Sequence, residues 1–288
     1  MVKLFSEEAA KIKKFLTAVA LRGSFAVSAD LEQGTIVDSF VIEISPKKVG
    51  CRMLDEFTRT SAYLDVSFEP SIPGEVTDNV GIEDISDFIK QIAVFDNEDT
   101  LVFEKGEDEL IIHDRENNTK IYIPLKDVEQ IPGYSPEAFS AFDLDADKPA
   151  IHLGDDKVFD AHADVVLTNA NKITSLAKAL STPVISVKWN KEGIFVSTHE
   201  LEGKGKAGTK HSSIKLNATL LGNGKKVGEV ENEYPIGLLP ALKEFEQAEI
   251  YMVTDGWKDA KQILLKGEAD EITKKYVIAQ PQPETKDE

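Results

Sequence analysis

The chain repeats its own plan. A helical stretch, a strand pair, further strands, a second helical stretch and three closing strands run through the first half, and the order then starts again. The clearest correspondence sets residues 42–54 beside residues 185–197. Each is a strand, a turn carrying lysine, a small residue and a second strand. A period of about 140–155 residues has the size of a domain and is far too long for a solenoid unit. The 288 residues are therefore read as two similar α+β domains. Residues 1–126 form the first, 127–164 an interdomain connector, 165–279 the second domain and 280–288 a polar, proline-containing tail.

Four stretches carry helical periodicity. In residues 6–21, Ile12, Phe15, Leu16 and Val19 share one face, with Lys14 opposite it, Lys11 and Lys13 flanking it, and Arg22 following. Ser6 reads as the cap of this helix, with Glu7 and Glu8 suiting its positive end. In residues 82–94 the apolar face is Ile85, Phe88, Ile89 and Ile92, and Lys90 stands near the end. Residues 171–181 repeat the pattern with Ile173, Leu176, Ala177 and Leu180, leaving Lys172 and Lys178 off the face. Residues 236–246 carry Leu238, Leu239, Leu242 and Phe245, together with Lys243. Between them, alternating runs at 39–45, 51–54, 62–68, 100–104, 109–114 and 120–125 predict antiparallel strands. So do runs at 183–189, 193–198, 214–220, 227–230, 249–254, 262–267 and 275–279. Residues 126–164, with Pro132, Gly133, Pro136, Pro149 and the acids Asp143, Asp145 and Asp147, read as a long connector with little regular structure.

Charge separates the function classes. Thirty-three basic residues stand against 51 acidic ones, a net of -18. Such a chain repels nucleic acid on average, so binding to DNA requires its cations to be gathered on one surface. No apolar run approaches the ~18 residues of a spanning helix. The first eight residues lack the core of a secretion signal. These two features lead us to expect an intracellular protein with no membrane contact. Cys51 is the single cysteine, which excludes an internal disulfide and a cysteine-based zinc cluster.

Several segments resemble the sliding clamps of the proliferating cell nuclear antigen (PCNA) type. Residues 11–16, Lys-Ile-Lys-Lys-Phe-Leu, are similar to that family's first helix with its paired lysines. Phe88-Ile89-Lys90 followed by Asn97-Glu98-Asp99 resembles its second helix and the next strand. Asp127-Val128-Glu129-Gln130-Ile131-Pro132 resembles the start of its connecting loop, and Tyr276-Val277-Ile278-Ala279 its closing pattern. The likeness spans nearly the whole chain. It departs at Gln280, where the family has proline, although Pro281 follows. It departs also in a longer connector at 138–160 and an insertion near 58–62, which suggest a divergent, archaeal or viral-like clamp.

The resemblance implies a ring-forming DNA clamp fold, each domain holding antiparallel sheets and two helices. It implies a homotrimer or mixed trimer that encircles double-stranded DNA without reading its sequence. The ring would serve as processivity factor for a DNA polymerase, be opened by a clamp loader, and dock replication and repair enzymes through PIP-box-type peptides. It would be no enzyme and would hold no cofactor or metal. The DNA-facing cations would be Lys11, Lys13, Lys14, Arg22, Lys90, Lys172, Lys178 and Lys243, set on rigid helices to meet phosphates without base contacts. The partner pocket would be lined by Leu54, Tyr63, Ile131, Ala279 and Pro281. Two alternatives stay open: a checkpoint-type clamp subunit, and a duplicated two-domain β binding or structural protein with no DNA function.

Three motifs suggest other chemistry and fail on their spacing. Residues 203–210 are rich in glycine and lysine, but the order is Gly-Thr-Lys and a strand follows where a phosphate loop needs a helix. Asp143, Asp145 and Asp147 open like a calcium loop, yet Lys148 and Gly154 stand where glycine and glutamate are required. His152, Asp160, His162 and Asp164 match no zinc spacing.

Overall fold

The computed structural model describes residues 1–25, 38–56, 60–116, 118–152, 157–166, 184–199, 211–221, 230–245, 247–253 and 262–279. It opens with a strand, β1 (Val2–Glu8), where the sequence predicted a helix cap. Four consecutive residues, Leu4 to Glu7, are buried there, so no alternation marks the strand. Phe5 stacks on Phe103 at 4.3 Å. The Glu7 carboxylate accepts hydrogen bonds from the Ser71 N–H and hydroxyl at 2.9 and 2.6 Å. Helix α1 follows (Ala9–Ala20), extended by a 3-10 turn at Leu21–Phe25.

The rest of the first half runs β2 (Phe40–Ser45), β3 (Lys48–Glu56), β4 (Ser61–Phe68), β5 (Ile72–Pro73), β6 (Asp78–Ile82), α2 (Ile85–Ile92), β7 (Thr100–Lys105), β8 (Glu109–Asp114) and β9 (Lys120–Pro124). Asp84 caps α2 by accepting from the Asp87 N–H, which starts this helix three residues later than its periodicity suggested. The connector holds a 3-10 turn at Val128–Gln130, a one-turn helix α3 (Pro136–Phe139) and three two-residue strands, β10 (Phe142–Asp143), β11 (Ala150–Ile151) and β12 (Lys157–Val158). It is thus more ordered than its prolines and acids implied.

The second half runs β13 (Ala161–Val166), β14 (Val184–Asn190), β15 (Gly193–His199), β16 (His211–Lys215), β17 (Asn217–Leu221), β18 (Val230–Pro235), α4 (Leu238–Lys243), β19 (Gln247–Met252), β20 (Gln262–Ala269) and β21 (Ile272–Ala279). β13 begins inside the stretch read as connector. The single strand expected at 214–220 is two strands, β16 and β17, which break at Leu216 and enter different sheets. The helix expected at 171–181 lies outside the described residues.

The sheet orders show the repeat. The first half has a five-stranded sheet, β5-β1-β7-β8-β9, and the second half has a four-stranded sheet, β16-β15-β14-β18. Between them a nine-stranded sheet runs β17-β13-β19-β20-β21-β4-β3-β2-β6. Its first five strands repeat the five-stranded order in the second half. Its last four repeat the four-stranded order in the first. The two domains are therefore fused edge to edge at β21 and β4, which pair antiparallel from Ile272↔Phe68 to Ile278↔Ala62.

The helices share one layer. α2 packs on α1, and α4 packs on the 3-10 turn that extends α1. Gly237 lies so close to the Ser24 carbonyl that any side chain there would collide with it. Beneath this layer one hydrophobic core runs through both halves and includes Phe15, Phe25, Phe88, Trp189, Leu242 and Tyr276.

Candidate functional site

Two surfaces follow from this fold: the exposed side of the helices, and the opposite face of the nine-stranded sheet. On α1 the apolar residues Ile12, Phe15, Leu16 and Val19 are buried as their spacing requires. This leaves Lys14 exposed and Lys11 and Lys13 half-buried. Each of the three is held. Lys14 Nζ lies 2.6 Å from Asp270, and Lys11 Nζ lies 2.9 Å from Glu271. Lys13 donates to the Phe95 carbonyl and to Asn97 at 2.7 and 2.9 Å. Partial burial lowers the Lys11 pKa, but the Glu271 hydrogen bond and Glu7 outweigh it, so the net shift is upward. Lys90 on α2 is exposed and paired with Asp87 at 2.7 Å. Lys243 is exposed on α4.

The acids that meet α1 come from the other domain. Asp270 and Glu271 form the β20–β21 turn, both at positive φ, 56° and 60°. Side chains rarely take this conformation, and each costs on the order of 1 kcal/mol relative to glycine. The turn places two carboxylates beside two lysines expected to face phosphate, and no spacing in the sequence announces this.

Arg22 does not belong to that surface. It is 2% exposed. It donates to both Asp55 oxygens at 2.8 and 2.5 Å and to the Ser39 carbonyl at 2.7 Å. A guanidinium so enclosed locks α1 to β3 and is too buried to meet a phosphate. Lys172 and Lys178 lie outside the described residues.

The second surface is ordered by register. Across the strands Leu54, Tyr63, Val277, Leu264 and Tyr251 stand opposite one another in turn, an apolar row. Two residues along each strand, on the same face, a charged row runs Arg52, Asp65, Lys275, Lys266 and Glu249. Side chains alternate between faces, so the rows between them point the other way: Met53, Leu64, Tyr276, Leu265 and Ile250 all join the main core.

Of the predicted pocket residues, Leu54 and Tyr63 lie on the apolar row, and Ala279 shares its face two residues beyond Val277. Ile131 does not join them. It is 3% exposed and packs in the main core, its Cδ1 against Gly81. It is a core residue, contrary to its reading as part of the partner pocket. Pro281 lies outside the described residues. Gly133, at φ 79°, lets the connector follow β3: the Leu54 N–H donates to the Gly133 carbonyl at 2.8 Å, and a Cβ on Gly133 would sit 2.7 Å from the Leu54 oxygen.

The apolar row is covered by the connector. Phe139, Leu144, Ile151 and Phe159 join Tyr63, Leu264, Val277, Tyr251 and Val253 in a second hydrophobic cluster, separate from the main core. Phe142 stacks on Tyr63 at 4.0 Å, and the Arg52 guanidinium lies 5.2 Å over the Phe139 ring. Sequence reasoning missed these connector residues. The signal was present, because Phe139, Phe142 and Leu144 are apolar residues in a stretch otherwise rich in acids and prolines.

Burial pushes the Cys51 thiol up to about 12, which leaves it a protonated core side chain. Among the described residues no group of three or more histidine, cysteine, aspartate and glutamate side chains could hold a metal ion. Among them too, no helix is long and apolar enough to cross a membrane.

The crystal structure of proliferating cellular nuclear antigen from Entamoeba histolytica matches 98% of this chain and 100% of its own, with a TM-score of 0.64 at 15% sequence identity. The chain has the PCNA-like clamp fold. No family model and no curated protein matches its sequence. The fold is thus shared although most of the individual residues differ.

Proposed function

We propose that this chain is the subunit of a ring-shaped sliding clamp that encircles double-stranded DNA and docks replication and repair enzymes, a DNA polymerase among them, on its outer face. One observation carries the reading. The β21–β4 junction inside the chain has an open equivalent at each end. In the repeat, β9 occupies the place of β21 and β16 the place of β4, and among the described residues both are edge strands. Pairing β9 of one copy with β16 of the next would reproduce the internal junction between chains. Such a head-to-tail contact closes into a ring when the rotation per subunit divides a full turn, and it removes bare edges that would otherwise aggregate. Three chains would bring six domains, the trimer the resemblance implies, as a homotrimer or with sister subunits.

The helical layer supports the DNA-facing role. Lys11, Lys13, Lys14, Lys90 and Lys243 offer charge to phosphates, and Asp270, Glu271 and Asp87 temper it. A wall of moderate charge suits a ring that must hold DNA and still slide. The protein would act as a scaffold without catalysis inside the cell, and an ATP-driven loader would open it.

The test is topological. The ring, once loaded, should stay on circular DNA and run off linear DNA, and equal retention on both would sink the reading. Light scattering should give three times the mass of one chain. Tyr122→Asp on β9, where Tyr122 is exposed, should leave a folded monomer. With Lys14, Lys90 and Lys243 all changed to Glu, the salt dependence of DNA binding should flatten by about one unit of slope per lost contact.

A further inference from the structure

The outer face of the nine-stranded sheet is an apolar row beside a row of charges, and a short strip of the connector fits both. Phe142 stacks on Tyr63 at 4.0 Å with a 9° interplanar angle. Leu144 is buried among Tyr63, Leu264 and Val277. Its carbonyl accepts from Lys266 Nζ at 3.3 Å. The next residue, Asp145, takes a 2.6 Å hydrogen bond from Lys275 and lies 3.7 Å from Lys266. Lys275 is 7% exposed and Asp145 is 73% exposed, so the lysine belongs to the sheet and the acid reaches it from outside. Asp65 stands on the other side of Lys275 at 3.4 Å, itself 3.6 Å from Lys48.

The strip is attached as a ligand would be. Among the described residues, its backbone–backbone hydrogen bonds stay within the connector: Phe139 to Ser135, Ala141 to Ala138, His152 to Ala141, and the β10–β11 pairing. The connector's own backbone meets the sheet earlier, at Gly133. Apolar side chains and the contacts of Lys266 and Lys275 therefore hold residues 139–145 down. Lifting them breaks no pairing with the nine-stranded sheet, only the two-residue β10–β11 pairing inside the connector, and leaves the main core closed, because the second cluster is separate from the first.

We propose that residues 139–145 are a displaceable intramolecular ligand of this groove, and that the groove accepts in their place a partner peptide presenting an aromatic side chain, a leucine two residues later and an acid directly after it. This rests on the clamp reading, in which partners dock on the outer face, and it adds regulation to that site. A tethered occupant competes at a high effective concentration, so a partner binds with an affinity reduced by the fraction of time the groove is open. Apolar contacts from the aromatic and the leucine would supply the affinity, and Lys275 and Lys266 would select for the acid.

The probe is a labelled peptide with the sequence of residues 138–146, Ala-Phe-Ser-Ala-Phe-Asp-Leu-Asp-Ala, followed by fluorescence anisotropy on the full chain. Wild type should bind it weakly. The double variant Phe142→Ser, Leu144→Ser should bind it at least ~10-fold more tightly, because its own strip no longer competes. Asp145→Asn, at an exposed position that leaves folding intact, should show a smaller gain of about 3-fold. A peptide carrying lysine in place of the acid at position 145 should lose ~10-fold on either variant. Equal affinity of wild type and both variants, or no binding to any, overturns the proposal. DNA retention is read separately. A chain that stays on circular DNA yet ignores the peptide rejects this proposal alone. A chain that binds the peptide yet leaves circular DNA rejects the clamp reading alone.

Discussion

The two faces of the nine-stranded sheet are both covered, but by different kinds of cover. On one face Met53, Leu64, Tyr276, Leu265 and Ile250 belong to the core shared by both domains and the helices. On the other, one residue along, Leu54, Tyr63, Val277, Leu264 and Tyr251 lie under a connector that mostly touches the sheet through side chains. The first cover cannot be removed without unfolding. The second can be lifted. A single alternating sequence thus builds a permanent interface and a removable one, and the difference lies in what arrives from elsewhere in the chain.

The comparison can be broken most directly at neighbouring leucines. Leu265→Ala, on the core face, should cost about 3–4 kcal/mol in denaturant unfolding, within the range for a buried leucine that leaves a cavity. A loss under about 1 kcal/mol would mean that this face repacks freely and is no firmer than the other. Phe142→Ala, on the removable cover, should cost about 1–2 kcal/mol. Hydrogen exchange should then rise in residues 134–152 while α1 keeps its protection; a simultaneous rise in α1 would make the two covers one cooperative unit.

A smaller effect sharpens the comparison on the helical side. Changing Asp270 to Asn and Glu271 to Gly should stabilise the β20–β21 hairpin by about 0.5–1 kcal/mol. Both new residues accept positive φ, while the exposed ion pairs that are lost contribute little. The same variant should bind DNA more tightly at low salt, since Lys14 loses Asp270 and Lys11 keeps only Glu7 of its acidic partners. A destabilised variant would show that those pairs matter more than the turn.

The smallest effect concerns pH. Partial burial acts to raise the Asp145 pKa, but the Lys275 hydrogen bond, with Lys266 and Lys48, outweighs it and holds the carboxyl below its ordinary 3.8. Its contribution is therefore fully present above that value and is lost as pH falls through the lowered one. Asp65, facing the same lysine, belongs to the sheet and stays with it. Hydrogen-exchange protection of the connector, taken relative to the intrinsic rate at each pH, should fall more steeply on acidification in wild type than in Asp145→Asn, and parallel curves would remove the acid from the clasp.

Much of the fold was legible because its signals are local. The apolar faces of α1 and α2 and the alternation of β2 to β4 follow from residues within a few positions of each other. The duplication was legible for the same reason: the strand pairs at 42–54 and 185–197 repeat a local pattern, and the structure sets β2–β3 and β14–β15 at equivalent places in their sheets. β1 was missed because burial of Leu4 to Glu7 on both sides erases alternation, and because Ser6, Glu7 and Glu8 imitate a helix start. β16 and β17 read as one run because the break at Leu216 is made by the two sheets that share the segment.

What the sequence determined by itself is the alphabet of the site: lysines off the apolar faces of helices, aromatic and aliphatic residues on alternating strands, and an acidic connector. Which of these meet was decided only in three dimensions. Arg22 looks like Lys14 in sequence, yet Asp55 and Ser39, 33 and 17 residues away, enclose it. Asp270 and Glu271 face Lys14 and Lys11 across 256 and 260 residues. Ile131 and Leu144 are both apolar residues in a connector, and one enters the main core while the other enters the groove. Periodicity depends on neighbours along the chain and survives in sequence. Burial and charge pairing depend on neighbours across sheets and domains, and those are set by strand register, which no single segment contains.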